Sequence, residues 1–260
     1  MSKLVGFLPI GFPTVDRAQL AFDVMLKNGV DIVEIGVPYS DPVMDGAEIQ
    51  AADIVALKNG ISLKDAIPIV DLVNSYDKQA YLMTYWNLVW TYGLDKFAND
   101  FQNATGTILP DLPYDMGLDN SNNYIETLKN AKIGNTYLIA PNSADDRIKA
   151  MGNLVKAGYE NGAEGGFLYI TTTLGVTGER ESSGNTAEKS LNHVRSIVGN
   201  DIPLYVGIGI STPEQVHDAA KFADGVIVGS ALVRALKNDE TSDLSEFGEF
   251  VKKLADAAHK

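Results

Sequence analysis

The chain has 260 residues, 45% of them hydrophobic, no cysteine, and a formal charge of −13 at pH 7. Its length suits one large α/β barrel or two ordinary domains. The missing cysteines exclude disulfides and thiolate chemistry, and the acidity argues against general nucleic-acid binding and against holding an anion on a broad basic surface.

No run approaches the roughly 18 apolar residues of a membrane span. The opening residues lack a basic region followed by a long apolar segment, so no signal peptide is evident. The expectation is a cytoplasmic protein.

Short apolar runs recur along the chain and alternate with amphipathic stretches. The first expected strand is 5–10, followed by a helix over 16–28, a strand over 31–37 and a helix over 47–58. Strands are then expected at 79–85 and 106–111, with a helix over 93–103 between them. The remaining strands fall at 136–140, 166–171, 203–209 and 225–229, with helices over 144–157, 186–198 and 212–222, and a last helical pattern from Ala231. Eight strands alternating with helices predict a parallel sheet and fit a single (β/α)₈ barrel, a TIM barrel, over residues 1–260. An open doubly wound sheet is the alternative, since periodicity does not show closure.

Within the second strand, Asp31-Ile32-Val33-Glu34-Ile35-Gly36-Val37, Glu34 stands among β-branched residues. A carboxylate inside a buried strand is costly unless it is paired or used for chemistry. The next loop, Pro38-Tyr39-Ser40-Asp41-Pro42-Val43-Met44-Asp45-Gly46, carries two more acids. A buried acid at a strand end with a second acid on the following loop suits proton transfer. In a barrel, chemistry belongs at the carboxyl ends of the strands, where Tyr85, Asn87, Asp111 and Tyr169 are also expected. For Asp45 the plainer reading is a turn before Gly46, and for Asp111 a structural cap. Trp86 and Trp90 are read as packing residues.

Gly207-Ile208-Gly209 before Thr212-Pro213-Glu214, and Val228-Gly229-Ser230-Ala231, both end strands and enter helices. Together with Gly175-Val176-Thr177-Gly178 they suggest a phosphate held by backbone N–H groups and helix N-termini. The Gly-, Ser- and Glu-rich loop 175–186 reads as a lid. The expected strands hold no lysine or arginine, which disfavours a Schiff-base aldolase. His193, His217 and His259 lack metal-ligand spacing, and no dinucleotide fingerprint follows the first strand. Carboxylate acid–base chemistry remains.

These motifs resemble the α subunit of tryptophan synthase over nearly the whole chain. The resemblance is carried by residues 31–46, by Leu82-Met83-Thr84-Tyr85-Trp86-Asn87, by Pro110-Asp111-Leu112-Pro113, by residues 175–178, and by Gly225-Val226-Ile227-Val228-Gly229-Ser230. It implies a (β/α)₈ barrel that cleaves indole-3-glycerol phosphate to indole and glyceraldehyde 3-phosphate in L-tryptophan biosynthesis. It also implies a β-subunit partner in an α2β2 complex; pyridoxal phosphate belongs to that partner and no cofactor to this chain.

By the same resemblance, Glu34 is the general acid and base and Asp45 holds the indole N–H. Tyr169 orients Glu34 or the glycerol, and Thr177 of the lid meets Asp45. Tyr85 and Ile208 belong to the substrate site, while Gly178, Gly209, Gly229 and Ser230 hold the phosphate. Asp41, Pro42, Asn87 and Leu88 belong to the partner surface, with Asp111 near it. Two departures from many members are the start of the chain close to strand one, where others first have a helix, and Thr173, where others carry arginine. Competing readings are another phosphate-binding barrel enzyme, a subunit kept to activate its partner, and an indole-releasing lyase that acts alone.

Overall fold

In the computed structural model the apolar runs become eight parallel strands. They are β1 (Lys3–Pro9), β2 (Ile32–Gly36), β3 (Gln79–Met83), β4 (Gly106–Ile108), β5 (Gly134–Ile139), β6 (Leu168–Thr171), β7 (Leu204–Gly207) and β8 (Gly225–Val228). Each pairs with its successor, and β8 pairs back onto β1, so the sheet is closed and the doubly wound alternative is excluded. The structure describes residues 1–117, 123–171, 184–207 and 209–260.

All eight expected strands form, but several end early. β3 stops at Met83 because Tyr85 already caps a helix, Trp86–Tyr92. β4 stops at Ile108, two residues before Pro110, which has no N–H to give a ladder. Asp111 therefore lies in the loop beyond β4 rather than at its end. One basic residue does belong to a strand: Lys3 opens β1, where its ammonium reaches Gln79 Oε1 at 3.2 Å, at the end of the barrel opposite the strand C-termini.

The helix over Ala47–Lys58 has the expected bounds, and five others follow expectation within a few residues. The stretch from Ala231 is two helices, Ser230–Asn238 and Ser245–Ala258. Short helices at Ile67–Asn74, Trp86–Tyr92, Tyr114–Gly117 and Tyr124–Asn130 were not expected. Sequences such as Ile-Pro-Ile-Val-Asp-Leu-Val-Asn have too little polar face for a helical period to register.

Packing separates into two layers. Apolar faces of the helices cover the outside of the sheet. Inside, Val5, Ile32, Tyr81, Ile108, Phe167, Tyr169, Tyr205 and Ile227 form their own cluster. Large rings fit there because a neighbouring strand offers a glycine: a Cβ on Gly106 would lie 2.5 Å from the Tyr81 ring, and one on Gly225 2.7 Å from the Tyr205 ring. Glu34 lies two residues after Ile32, in register with Phe7 and Tyr81. The two-residue period of a strand turns its side chain into the barrel, above this aromatic layer.

Candidate active site

Glu34 is 1% exposed, and its Oε1 has no hydrogen-bond partner among the described residues. Burial alone pushes its carboxyl up to about 8. At neutral pH the group therefore holds a proton it can donate, and it becomes a base once that proton is gone.

Asp45 is 4% exposed and closes the loop that follows β2. Its Oδ2 accepts a 2.7 Å hydrogen bond from the Tyr85 hydroxyl, whereas its Oδ1 is buried and unpartnered. Burial raises this carboxyl to about 6, and the Tyr85 bond opposes the rise. Asp45 is thus the more readily ionised of the two acids. The loop is held by short contacts: Met44 N–H donates to Tyr85 Oη at 3.1 Å, Gln50 Nε2 donates to the Asp45 carbonyl at 2.8 Å, and the Tyr39 and Tyr85 rings stack with centroids 5.0 Å apart.

Tyr169 is buried on β6, and the negative charges of Glu34 and Asp45 both act on its phenol, adding to the effect of burial in holding its proton. Its ring rests on Gly207, where a Cβ would stand 2.5 Å from the hydroxyl oxygen. Two carboxyl groups and two phenols, Glu34, Asp45, Tyr85 and Tyr169, thereby converge at the strand C-termini from residues 135 positions apart in sequence.

Across the barrel mouth, Gly209 follows β7 with φ +83°, a conformation that suits glycine. Gly229 is the N-cap of helix Ser230–Asn238, which begins with no side-chain cap; the Leu232 N–H donates to the Gly229 carbonyl at 2.8 Å, so the donors at this helix start are the N–H groups of Ser230 and Ala231. The helix over Pro213–Ala220 differs from expectation. Its N-terminus is closed by a capping box, with Thr212 Oγ1 accepting from Gln215 N and Gln215 Oε1 accepting from the Ser211 and Thr212 amides. Those donors are already used, and of the expected glycine-rich turns the described residues leave the one at Gly209 and the start of helix Ser230–Asn238.

The expected partner residues lie at the rim. Asp41 and Asn87 are exposed, and Pro42 is partly so. Val43 is 65% and Trp90 55% exposed, so one side of Trp90 meets solvent while its ring lies 5.6 Å from that of Trp86, which in turn packs edge-on against Tyr124. Asp111 is half-buried and accepts from the Trp86 N–H with both oxygens, at 2.9 and 3.1 Å, which caps helix Trp86–Tyr92. Thr173, Thr177, Gly178 and Ile208 lie outside the described residues, as does most of the expected lid; a helix already begins at Gly184, inside the span expected as loop. Among the described residues no cluster of His, Cys, Asp and Glu could hold a metal ion, and no helix is long and apolar enough to cross a membrane.

Two buried acids, Asp53 and Asp239, escaped the sequence reading. Asp53 lies on the inner face of helix Ala47–Lys58 with Ile49, Ala52 and Ala56. The helical period of that segment, an acid among Ala, Ile and Val, carries the signal.

A family model described as tryptophan synthase alpha chain matches residues 1–259. The chain belongs to the tryptophan synthase alpha chain family. It is 39% identical over 253 residues to the tryptophan synthase alpha chain of Bifidobacterium longum, covering 96% of this chain and 82% of that one. It is 40% identical over 237 residues to the Mycobacterium marinum member, covering 90% and 82%. Among solved structures, Mycobacterium tuberculosis tryptophan synthase superposes with a TM-score of 0.87 at 34% identity, covering 100% of this chain and 93% of the other. The Legionella pneumophila alpha subunit superposes at 0.85 with 26% identity, covering 99% and 93%. The family fold is thus the barrel described above.

Proposed function

We propose that this member of the tryptophan synthase alpha chain family cleaves indole-3-glycerol phosphate to indole and glyceraldehyde 3-phosphate, with Glu34 and Asp45 as its catalytic pair. The observation that carries the assignment is the convergence of an isolated, protonated acid and an ionisable one at the barrel mouth, one 1% and the other 4% exposed. Glu34 gives its proton to indole C3, leaving a cationic ring. Asp45 accepts the indole N–H on its unpartnered Oδ1 and stabilises that charge, an interaction strengthened where water is excluded. Ionised Glu34 then takes the proton of the adjacent hydroxyl as the carbon–carbon bond breaks. The electron pair returns to the ring, the new carbonyl becomes the aldehyde, and Glu34 ends protonated as it began.

Tyr85 holds Asp45, and Tyr169 lines the reacting end. Gly209, Gly229 and Ser230 bind the phosphate, joined by Ile208, Thr177 and Gly178. The chain works in an α2β2 complex through a rim that includes Asp41, Pro42 and Asn87, with Asp111 buttressing it. It carries no cofactor of its own, pyridoxal phosphate serving the β subunit, and it acts in the cytoplasm.

The test is indole release from indole-3-glycerol phosphate, measured with and without β subunit, for wild type and Glu34→Gln. Loss of release in Glu34→Gln with retained β-subunit binding is the expected result. Substantial turnover by the variant would overturn the assignment.

A further inference from the structure

Tyr39 has no part in the chemistry above, yet its ring stacks on that of Tyr85, with centroids 5.0 Å apart and the planes 28° from parallel. Tyr85 in turn reaches the far end of the same loop: its hydroxyl donates to Asp45 Oδ2 at 2.7 Å and accepts from the Met44 amide at 3.1 Å. The loop after β2 therefore grips one side chain at two places, by a ring at residue 39 and by an amide and a carboxyl at residues 44 and 45.

The backbone on both sides is fixed without the Tyr39 ring. Tyr85 caps helix Trp86–Tyr92, and its carbonyl accepts from the Leu88 amide at 3.0 Å. The Asp45 amide donates to the Pro42 carbonyl at 3.0 Å, and the Asp45 carbonyl accepts from Gln50 Nε2 at 2.8 Å. The Val37 amide donates to the Met83 carbonyl at 2.9 Å, which ties the start of the loop to β3. What these bonds leave open is the swing of the Tyr85 ring about its side-chain torsions, and that swing decides whether the hydroxyl meets Asp45. A stacked ring restricts it.

We propose that Tyr39 is a positioning residue of the lyase site, its ring holding the Tyr85 phenol in the orientation that donates to Asp45. This rests on the catalytic reading of Asp45 given above. The contact is made by the ring of Tyr39, so the role requires a flat side chain at position 39 and a phenol at position 85. A phenol that swings away donates less to Asp45, and the bond that opposes the rise of that carboxyl is weakened. Asp45 then titrates higher. The other titratable groups around Asp45 are Glu34 on β2, Tyr169 on β6 and Asp53 on helix Ala47–Lys58, and every variant below retains them.

The test measures kcat/KM for indole release by the α2β2 complex from pH 5 to 9 in wild type, Tyr39→Phe, Tyr39→Leu and Tyr39→Met, each also combined with Tyr85→Phe. Tyr39→Leu is expected to lose about 5- to 10-fold at pH 7, the upper part of what an aromatic pair contributes, and its acid limb to move to higher pH. Tyr39→Phe keeps the ring and is expected to stay within about twofold of wild type, its limb unmoved. In the Tyr85→Phe background no hydroxyl is left to aim, so adding Tyr39→Leu should cost less than about twofold. Tyr39→Met, also ringless, carries the same expectations and decides the matter where the Leu variant does not fold. Equal losses in the two backgrounds, an acid limb that stays in place, or Tyr39→Phe as damaged as Tyr39→Leu overturns the proposal. Wild type without indole release would instead defeat the lyase reading on which it rests.

Discussion

The Tyr85 hydroxyl donates to Asp45 Oδ2 at 2.7 Å and accepts from the Met44 amide at 3.1 Å. One phenol thus fixes both the carboxylate and the backbone that carries it. Tyr85→Phe removes a hydrogen bond to a charged group, worth roughly 1.5–3 kcal/mol. Activity at pH 7 is expected to fall about 10- to 100-fold. The bond opposes the rise of the Asp45 carboxyl toward 6, so without it that carboxyl titrates higher. The acid limb of kcat/KM should move to higher pH, with part of the loss recovered at pH 8. An unmoved acid limb would show that Tyr85 does not tune Asp45.

Glu34 couples activity and stability in opposite directions. Its carboxyl rises from 4.5 to about 8 on folding. A folded pKa above the unfolded one gives stability that is complete below pH 4.5 and is lost as pH climbs through 8. At pH 9 the ionised group costs on the order of 5 kcal/mol. Glu34→Gln never ionises, so its Tm should exceed that of wild type at pH 8 to 9 and converge with it near pH 4.5. The same variant should release no indole. Thermal denaturation at the two pH values, beside the activity assay, checks both halves.

Much of this arrangement was legible before folding. Glu34 stood out because a charge interrupts a β-branched run, and loop acids after a strand pointed to Asp45. The barrel followed from eight alternations, although its closure did not, because periodicity describes each element and not the bond from β8 to β1. Tyr39 was invisible because its importance is a ring stacked on a residue 46 positions away. Asp53 was within reach of a helical reading, but one acid in an alanine-rich helix looks like a surface residue until its face is known. The Thr212 helix misled in the other direction: the capping signals that mark a good helix start also consume the donors an anion needs.

Gly207 is small because Tyr169 lies on it. A methyl there would stand 2.5 Å from the Tyr169 oxygen and 2.7 Å from its ring. The ring must yield, and its phenol is the one on which the Glu34 and Asp45 charges act. Gly207→Ala is expected to lower kcat roughly 10- to 100-fold, the scale of an ångström-sized displacement in an active site. Phosphate affinity should change little. A kcat within twofold of wild type would exclude Tyr169 from the reacting end.

Asp111 gives a contrasting outcome. It caps helix Trp86–Tyr92 from another loop, with both oxygens on the Trp86 amide. Asp111→Ala is expected to cost about 1 kcal/mol of stability in urea titration. It should also weaken β-subunit binding, because Asn87 and Trp90 ride on that helix. Asp111→Asn keeps an acceptor and should recover most of the stability. An alanine variant with unchanged stability and affinity would remove Asp111 from both roles.

The rings of Tyr81, Phe167, Tyr169 and Tyr205 fill the barrel beneath Glu34. They make the barrel a blind well, open only where the substrate enters. A proton leaving Glu34 has one route, and bound substrate occupies it. The proton taken from the glycerol hydroxyl is therefore stored on Glu34 and is the one handed to the next indole ring, unless solvent reaches the well between turnovers. Net turnover then draws no proton from bulk water: the hydroxyl of one substrate supplies the hydrogen that the next indole carries at C3.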